Sequence, residues 1–231
     1  MIKNILISYP RSGNHLCRFF IELLSQTPSF GNIGNPKYNI EPNLNDIEIY
    51  KNDFSNHIPF NINKDYNKED CFYKFHNPTP NEIIPEKCIL LLRNPQEVLL
   101  RQNKNKINFN KTHWSNYYIY DDLISYYLNL QCKKIIFFYE DIILDRIQFI
   151  EQLYSFLECK NSNKLIFCKN NIDYLYELSI TASNRVWWGN LSNYNIDFYY
   201  QNIPYEIKDE FDTFISYLVN KYDFLKIKYN L

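Results

Sequence analysis

Glycine, methionine and long apolar runs are scarce in this sequence. Its 231 residues include four glycines and one methionine, a bias in base composition that also makes asparagine, isoleucine, lysine and tyrosine abundant. No run of apolar residues approaches the roughly 18 to 20 that a membrane-spanning helix needs. The first apolar run starts at Ile5, which leaves no room before it for a signal peptide. We therefore expect no association with a membrane and no secretory leader.

Cysteine and histidine patterns typical of disulfides or metal sites are also missing. The six cysteines include no CxxC pair, and several lie in apolar runs. Such cysteines are usually buried free thiols, which predicts a reducing compartment and a cytoplasmic location. The histidines have no metal-ligand spacing, so we expect no metal site; they are His15, His57, His76 and His113.

The sequence has no excess of positive charge and no familiar catalytic motif. Its formal net charge of −1 argues against a broad nucleic-acid-binding surface, so any anion site must be local. The GxxxxGK[ST] loop of nucleotide kinases and the GxSxG elbow of hydrolases are both absent. Internal repeats and low-complexity linkers are absent as well, which favours a single domain over residues 1–231.

What the sequence does contain is an alternation of strands and helices. Short apolar runs predict buried strands at residues 5–7, 71–75, 88–92 and 134–139. Helical periodicity predicts helices at residues 14–25, 95–105, 114–130 and 146–157, helical pieces over 161–178, and a last helix that opens at Pro204. This order is typical of an α/β fold with a mainly parallel central sheet flanked by helices.

Two segments lack a clear pattern. Residues 26–70 are rich in asparagine and proline, and only residues 44–54 have a plausible helical core. A weakly patterned segment of this length is usually a functional lid or an irregular excursion, so we expect one of these here. Periodicity is lost again over residues 180–203.

The first strand, the turn after it and the helix that follows predict an anion site. We call residues 9–15 (YPRSGNH) the anion loop. A loop between a strand and a helix can bind an anion through its backbone N–H groups and the positive end of the helix dipole. Arg11 adds a positive charge there, and Gly13 lets the backbone approach closely.

Charged or aromatic side chains also follow the other predicted strands. In a parallel sheet, ligands bind beyond the carboxyl ends of the strands, where His76, Arg93 and Tyr139 stand. Arg93 fits a second phosphate subsite, whereas Arg101, about two helical turns later, is taken from its position alone as a solvated helix residue. His76 fits a general base for a hydroxyl nucleophile, although a lone histidine is more often structural.

These segments resemble motifs of the sulfotransferases that use 3′-phosphoadenosine 5′-phosphosulfate (PAPS). The anion loop resembles their 5′-phosphosulfate loop, YPKSGTT, and residues 92–98 (LRNPQEV) resemble their 3′-phosphate motif, RNPxDV. Residues 74–78 (KFHNP) are similar to KTHLP, and residues 138–141 (FYED) to the YED segment. Residues 184–193 (NRVWWGNLSN) can be laid on RKGxxGDWKN without a gap. The five motifs occur in the family's order.

The resemblance implies a P-loop-like domain that moves a sulfuryl group from PAPS to a hydroxyl, releases adenosine 3′,5′-bisphosphate (PAP), and needs no metal. His76 would be the general base, helped by Lys74, and Arg11 would stabilise the leaving phosphate. Residues 180–203 would form a loop over the cofactor. The donor would be bound by Arg11, Ser12, Gly13, Asn14, His15, Arg93, Arg101, Tyr139, Arg185 and Trp187.

The chain departs from these patterns at several positions. Arg11 replaces the usual lysine, and it is too basic to donate a proton. Asn14 and His15 replace two hydroxyl residues of the family's loop. Arg101 stands where the family commonly has a phosphate-binding serine, so the guanidinium of Arg101 can substitute for that hydroxyl. The late motif keeps Arg185 but lacks the first arginine and the first glycine of the pattern.

The acceptor and two rival functions stay open at this point. A carbohydrate or small-alcohol hydroxyl is favoured over a protein tyrosine, since nothing directs the chain to a secretory compartment. One rival is a nucleotide or sugar-phosphate kinase with an unusual loop. The other is a non-catalytic protein that binds PAPS or PAP. The sequence gives no indication of the oligomeric state.

Overall fold

The computed structural model describes residues 2–30, 67–79, 83–102, 117–187, 203 and 205–231, with the side chains of residues 102, 180–187 and 206 left out. The described strands form one parallel sheet with the order β2-β3-β1-β4-β5. The strands are β1 (Asn4–Ser8), β2 (Ser29–Phe30), β3 (Phe72–Phe75), β4 (Lys87–Leu92) and β5 (Lys133–Phe138). The fold is therefore α/β, as the sequence predicts.

Alternating side chains of the buried strands form a core on each face of the sheet. Ile5 and Ile7 of β1 point to one face, while Leu6 between them points to the other. All three side chains are fully buried. A strand covered on both faces reads as a continuous apolar run, which is why the sequence reveals β1 and β4 so clearly.

Helices cover both faces. The face of Leu6 packs against α1 (Asn14–Ser25), α4 (Tyr139–Leu144), α5 (Arg146–Leu157), α6 (Ser162–Asn170) and α7 (Ile172–Trp187). The face of Ile5 packs against α2 (Pro95–Gln102), α3 (Tyr118–Asn129), α8 (Tyr205–Lys221) and α9 (Asp223–Tyr229). Both α1 and α5 have the predicted bounds, because their apolar residues recur at clear helical spacing.

Several elements differ from the prediction. Tyr139 does not end β5 but begins α4, whose first turn carries Glu140 and Asp141. Acidic residues suit the positive end of a helix dipole, so this pair starts a helix rather than only stopping a strand. Helix α7 continues to Trp187, into the segment without periodicity. The strand β2 and the helix α9 were not predicted.

Strand β2 is held by two charged side chains of α1. Arg18 and Glu22 of α1 are each 1% exposed, and both contact Ser29. The Arg18 Nε donates to Ser29 Oγ at 2.8 Å, and the backbone N–H of Ser29 donates to Glu22 Oε1 at 2.8 Å. Because β2 has only two residues and is held by polar contacts, the sequence contains no apolar pattern from which this strand could be predicted.

The six cysteines are free; Cys17, Cys71, Cys88 and Cys168 are buried, and Cys132 and Cys159 are half-buried. Within the described ranges, no helix is long and apolar enough to cross a membrane. In the same part of the chain, no three His, Cys, Asp or Glu side chains are grouped as a possible metal site.

Candidate functional site

The strand register brings four predicted site positions to one edge of the sheet. Strand β1 lies between β3 and β4, and Ile7 is level with Phe75 while Ser8 is level with Leu91. Leu92 and Phe138 are paired in the same way at the end of β5. The anion loop, His76, Arg93 and Tyr139 therefore follow adjacent strands at their carboxyl ends, as the sequence predicts.

The anion loop is a tight turn with two left-handed residues. Arg11 has φ of 74° and Gly13 has φ of 91°. The N–H of Ser12 donates to the carbonyl oxygen of Tyr9 at 3.2 Å, which closes the turn before α1 begins at Asn14. An arginine in this backbone region costs conformational energy, so the loop is held in place by its surroundings.

The loop retains polar groups that could bind an anion. Gly13 is the N-cap of α1 and provides no side-chain cap. The first N–H groups of a helix have no acceptor within the helix. The buried Ser12 Oγ and Asn14 Oδ1 also have no hydrogen-bond partner among the described residues. A bound phosphate would accept from the N–H groups at the start of α1 and from the Ser12 hydroxyl, and a water beside it would donate to Asn14 Oδ1.

The ring of Tyr139 fixes the position of Gly13. A Cβ atom on Gly13 would lie 2.5 Å from Cδ2 of that ring, so glycine is needed for packing as well as for its backbone angle. The guanidinium of Arg93 lies over the same ring, 4.1 Å from its centroid. The ring of Tyr139 is therefore in contact with both the anion loop and Arg93.

The guanidinium of Arg93 makes hydrogen bonds to two groups, the carboxylate of Glu97 and the backbone of Arg11. Its Nε donates to Glu97 Oε2 at 2.9 Å, its Nη2 donates to Glu97 Oε1, and its Nη1 lies 3.4 Å from the carbonyl oxygen of Arg11. Arg101 Nη1 lies 3.3 Å from Glu97 Oε1. The side chain of Arg101 is only 16% exposed, so the structure corrects its interpretation as a solvated helix residue.

His76 contacts the end of β1. Its Nδ1 lies 2.7 Å from the carbonyl oxygen of Ser8. A carbonyl only accepts hydrogen bonds, so Nδ1 carries the hydrogen and the neutral ring keeps its lone pair on Nε2. Burial, and then the charge of Lys74, hold the pKa of His76 well below its usual value.

A group of basic residues surrounds His76. Lys74 is 5% exposed and, like Leu6 beside it, lies on the face of the sheet covered by α1. The pKa of His15 falls to about 3, mainly through burial and also through the charges of Arg18, Lys74 and Arg11. Burial and the nearby Arg101 lower the pKa of Arg11. An anion placed here would meet positive potential from several sides.

Glu140 links the site to the C-terminal helix. Its Oε1 accepts from the backbone N–H of Asn94 at 2.9 Å, and its Oε2 accepts from Tyr229 Oη at 3.0 Å. Asn94 Oδ1 in turn accepts from the N–H of Gln96 at 2.9 Å and so caps α2. Glu140 therefore positions the turn that carries Arg93.

The chain is similar to solved structures over most of its length. Mouse sulfotransferase SULT7A1 complexed with PAP matches with a TM-score of 0.50 and 15% identity, over 98% of this chain and 86% of that chain. This chain has the sulfotransferase fold. Two further matches are retinol dehydratase in a complex with retinol and PAP and a sulfotransferase from Alicyclobacillus acidocaldarius. The first has a TM-score of 0.47 and 15% identity, over 94% of this chain and 81% of that chain. The second has a TM-score of 0.40 and 12% identity, over 83% of this chain and 98% of that chain. No protein-family model and no curated protein matches the sequence.

Most of the predicted site residues lie at or near the carboxyl edge of the sheet. The residues that follow the carboxyl ends of the strands are Arg11, Ser12, Gly13, Asn14, His15, His76, Arg93 and Tyr139. Lys74 lies within β3, level with Leu6 of β1, and Arg101 lies in α2, where Glu97 joins it to Arg93. Arg185 and Trp187 belong to α7, but their side chains lie outside the described residues, as do residues 188–193 of the late motif.

Sequence reasoning missed Glu97, Glu140 and the carbonyl of Ser8. Glu97 stands four residues from both Arg93 and Arg101, a spacing typical of ion pairs on helices, so a signal for it was available. The contacts of Glu140 and Ser8 join residues that are far apart in the chain. Only the fold reveals such contacts.

Proposed function

We propose that this protein transfers a sulfuryl group from PAPS to a hydroxyl of a carbohydrate or small-molecule acceptor and releases PAP. The observation that carries the proposal is the hydrogen bond from His76 Nδ1 to the Ser8 carbonyl oxygen, beside the anion loop. It leaves Nε2 as a proton acceptor at the point where Arg11 and Lys74 concentrate positive charge. A base next to an anion site is what sulfuryl transfer to an alcohol requires.

His76 acts as the general base in this proposal. Its Nε2 accepts the acceptor's proton while the hydroxyl oxygen forms a bond to sulfur, and the bond from sulfur to the 5′-phosphate oxygen breaks. Burial, and in part the charges of Lys74 and Arg11, hold the pKa of His76 low. A bound anion offsets those charges, so the histidine becomes a stronger base once the donor is present.

Stabilisation of developing charge is assigned to two cations. Sulfuryl transfer, like phosphoryl transfer, spreads charge over equatorial oxygens and the leaving group, so positioning and electrostatics supply most of the catalysis. Arg11 and the backbone of the anion loop stabilise the departing 5′-phosphate. Lys74, which is almost completely buried, neutralises charge on the sulfuryl group.

The rest of the donor is assigned to the neighbouring strand ends. Ser12, Gly13, Asn14 and His15 lie at the start of α1 and would bind the 5′-phosphosulfate. Arg93 and Arg101 lie together beside the loop and would bind the 3′-phosphate, the group that separates this donor from ATP. By the resemblance, Arg185 would add to that site, and Tyr139 and Trp187 would contact adenine.

The remaining assignments belong to the same proposal. We take residues 1–231 as one domain, with residues 26–70 as the lid or acceptor-binding segment and residues 180–203 as the segment that covers the donor. The six free cysteines fit the expected cytoplasmic location. The reaction as proposed needs no metal ion.

The general base is tested by two substitutions of His76. His76→Ala should reduce sulfuryl transfer by about 10²-fold or more while PAP binding stays within a few-fold of wild type. His76→Asn can still donate to the Ser8 carbonyl but provides no base, so it should be equally inactive. Transfer is measured with labelled PAPS and PAP affinity by calorimetry. Turnover like that of wild type in either folded variant would remove His76 from the mechanism.

The nature of the donor is tested by ligand-induced thermal stabilisation. PAP should raise the unfolding temperature of the wild-type protein more than ATP or ADP, because only PAP carries a 3′-phosphate for Arg93 and Arg101. Stabilisation by ATP and not by PAP would instead support the kinase. PAP binding without sulfuryl transfer to any of a panel of alcohols would support a non-catalytic binding protein.

A further inference from the structure

The carboxylate of Glu97 lies between the two arginines to which the 3′-phosphate is assigned. It takes a bidentate contact from Arg93 and a second ion pair, at 3.3 Å, from Arg101. The three side chains are only 12%, 20% and 16% exposed, in the order Arg93, Glu97 and Arg101. Charges this well shielded from water interact strongly, so Glu97 has a large effect on any anion bound beside it.

Glu97 occupies the part of Arg93 that a phosphate would use. The Nε and Nη2 of a guanidinium form the side that binds two oxygens of a carboxylate or phosphate in parallel. Both of these donors point to the two oxygens of Glu97. A phosphate must therefore either displace this carboxylate or bind to the remaining N–H groups of Arg93 with a like charge close by.

We propose that Glu97 determines the affinity of the site for a 3′-phosphate by competing with that phosphate for Arg93 and Arg101. The inference rests on the proposed function, which assigns the 3′-phosphate to these arginines. The competing carboxylate weakens binding of every ligand that carries the phosphate, the product PAP included. It leaves ligands without a 3′-phosphate unaffected.

Tyr139 keeps Arg93 in place during the exchange. The guanidinium lies over its ring, 4.1 Å from the centroid, and its Nη1 also reaches the carbonyl oxygen of Arg11. Neither contact involves Glu97. Loss of the carboxylate contact therefore leaves the arginine positioned for a phosphate, and the net effect of removing the Glu97 charge is tighter binding.

The test is Glu97→Gln, which keeps an amide oxygen as an acceptor for Arg93 but removes the charge. We expect PAP to bind this variant about tenfold more tightly than wild type, since a like charge beside the phosphate is lost. Adenosine 5′-monophosphate, which has no 3′-phosphate, should bind within about twofold of its wild-type affinity. Both affinities are measured by calorimetry on the full chain.

Glu158→Gln is the matched control. Glu158 also joins two cations, Lys87 at 2.6 Å and Lys133 at 2.9 Å, but these residues begin β4 and β5 at the opposite edge of the sheet. This substitution changes the net charge of the protein by the same amount and should leave PAP affinity unchanged. Equal tightening in both variants would attribute the effect to overall charge and overturn the proposal.

The outcomes separate this inference from the proposed function. Wild-type binding of PAP, with unchanged or weaker binding in folded Glu97→Gln, would overturn the competition and show that Glu97 orients the arginines instead. Tighter binding of adenosine 5′-monophosphate by the same factor would also overturn it. If neither protein binds PAP, the competition and the proposed function fall together.

A measurement on the wild-type protein decides the case if Glu97→Gln does not fold. The Nε–H resonance of Arg93, assigned by its disappearance in Arg93→Lys, reports the contact with Glu97. Saturating PAP should shift it, whereas adenosine 5′-monophosphate should not. A resonance that stays in place with PAP bound would show that the phosphate does not displace Glu97 and would contradict the proposal.

Discussion

At the scale of single residues, Gly13 has two separate reasons to be glycine. Its φ of 91° is strained for any side chain, and a Cβ atom would overlap the ring of Tyr139. That ring is covered on one side by Arg93, so it cannot move away without disturbing the second predicted phosphate site. The anion loop and the neighbouring strand end are thereby fixed relative to each other.

Gly13→Ala is expected to destabilise the protein by about 2 to 4 kcal/mol, the sum of a strained backbone and an overpacked contact. The free energy of unfolding is measured by urea denaturation. In a Tyr139→Ala background the same substitution should cost less, about 1 to 2 kcal/mol, because only the backbone strain is left. A Gly13→Ala protein as stable as wild type would contradict both reasons.

Several of the predicted site residues share one property, which is that they follow the end of a buried strand. Arg11, His76 and Arg93 could be predicted for this reason, since parallel strands end at a common edge. Side-chain pairing could not be predicted so easily. The position of Arg101 alone predicts a solvated side chain, whereas in the structure Glu97 joins it to Arg93. The Ser8 carbonyl that fixes the tautomer of His76 is a backbone group, so no sequence pattern indicates it.

At the scale of elements, the sequence predicts those that bury a regular apolar face. Helices α1 and α5 were found to the residue, and β4 to within one residue, because each repeats its apolar positions over several turns or over a continuous run. Helix α4 spans six residues, too few to establish a period, so Tyr139 was taken as the end of a strand. Strand β2 has two residues and depends on Arg18 and Glu22 of another element.

The short elements that were missed nevertheless position the site. Helix α4 starts with Tyr139 and Glu140, and α9 holds them through Tyr229 and through an ion pair between Lys228 and Asp141. Glu140 in turn accepts a hydrogen bond from the backbone N–H of Asn94, next to Arg93, and so positions this turn. Elements with few core residues thus act on the site through polar contacts, which periodicity does not detect.

The distribution of charge over the protein matters more than its sum. The formal net charge is −1, yet the carboxyl edge of the sheet collects Arg11, Lys74, Arg93 and Arg101. This arrangement leaves two histidines, His15 and His76, in positive and buried surroundings that oppose their protonation. An anionic ligand relieves this repulsion, so ligand binding and stability in acid should be coupled.

The same histidines predict how stability depends on pH. The folded state lowers the pKa of both histidines below the usual value of 6.5, and the pKa of His15 falls to about 3. Below pH 6.5 the unfolded chain therefore binds more protons than the folded protein does. The histidines' contribution is therefore fully present above that pH and is lost as the pH falls.

We expect His15→Gln to reduce the loss of unfolding free energy between pH 7 and pH 5 by about 1 to 2 kcal/mol, and His76→Gln to reduce it in the same direction. Urea denaturation at both pH values measures this difference within each protein, so an altered baseline stability cancels. If both variants lose as much stability as wild type over this range, the histidines are not held neutral by the fold, and the positive surroundings assigned to the site are wrong.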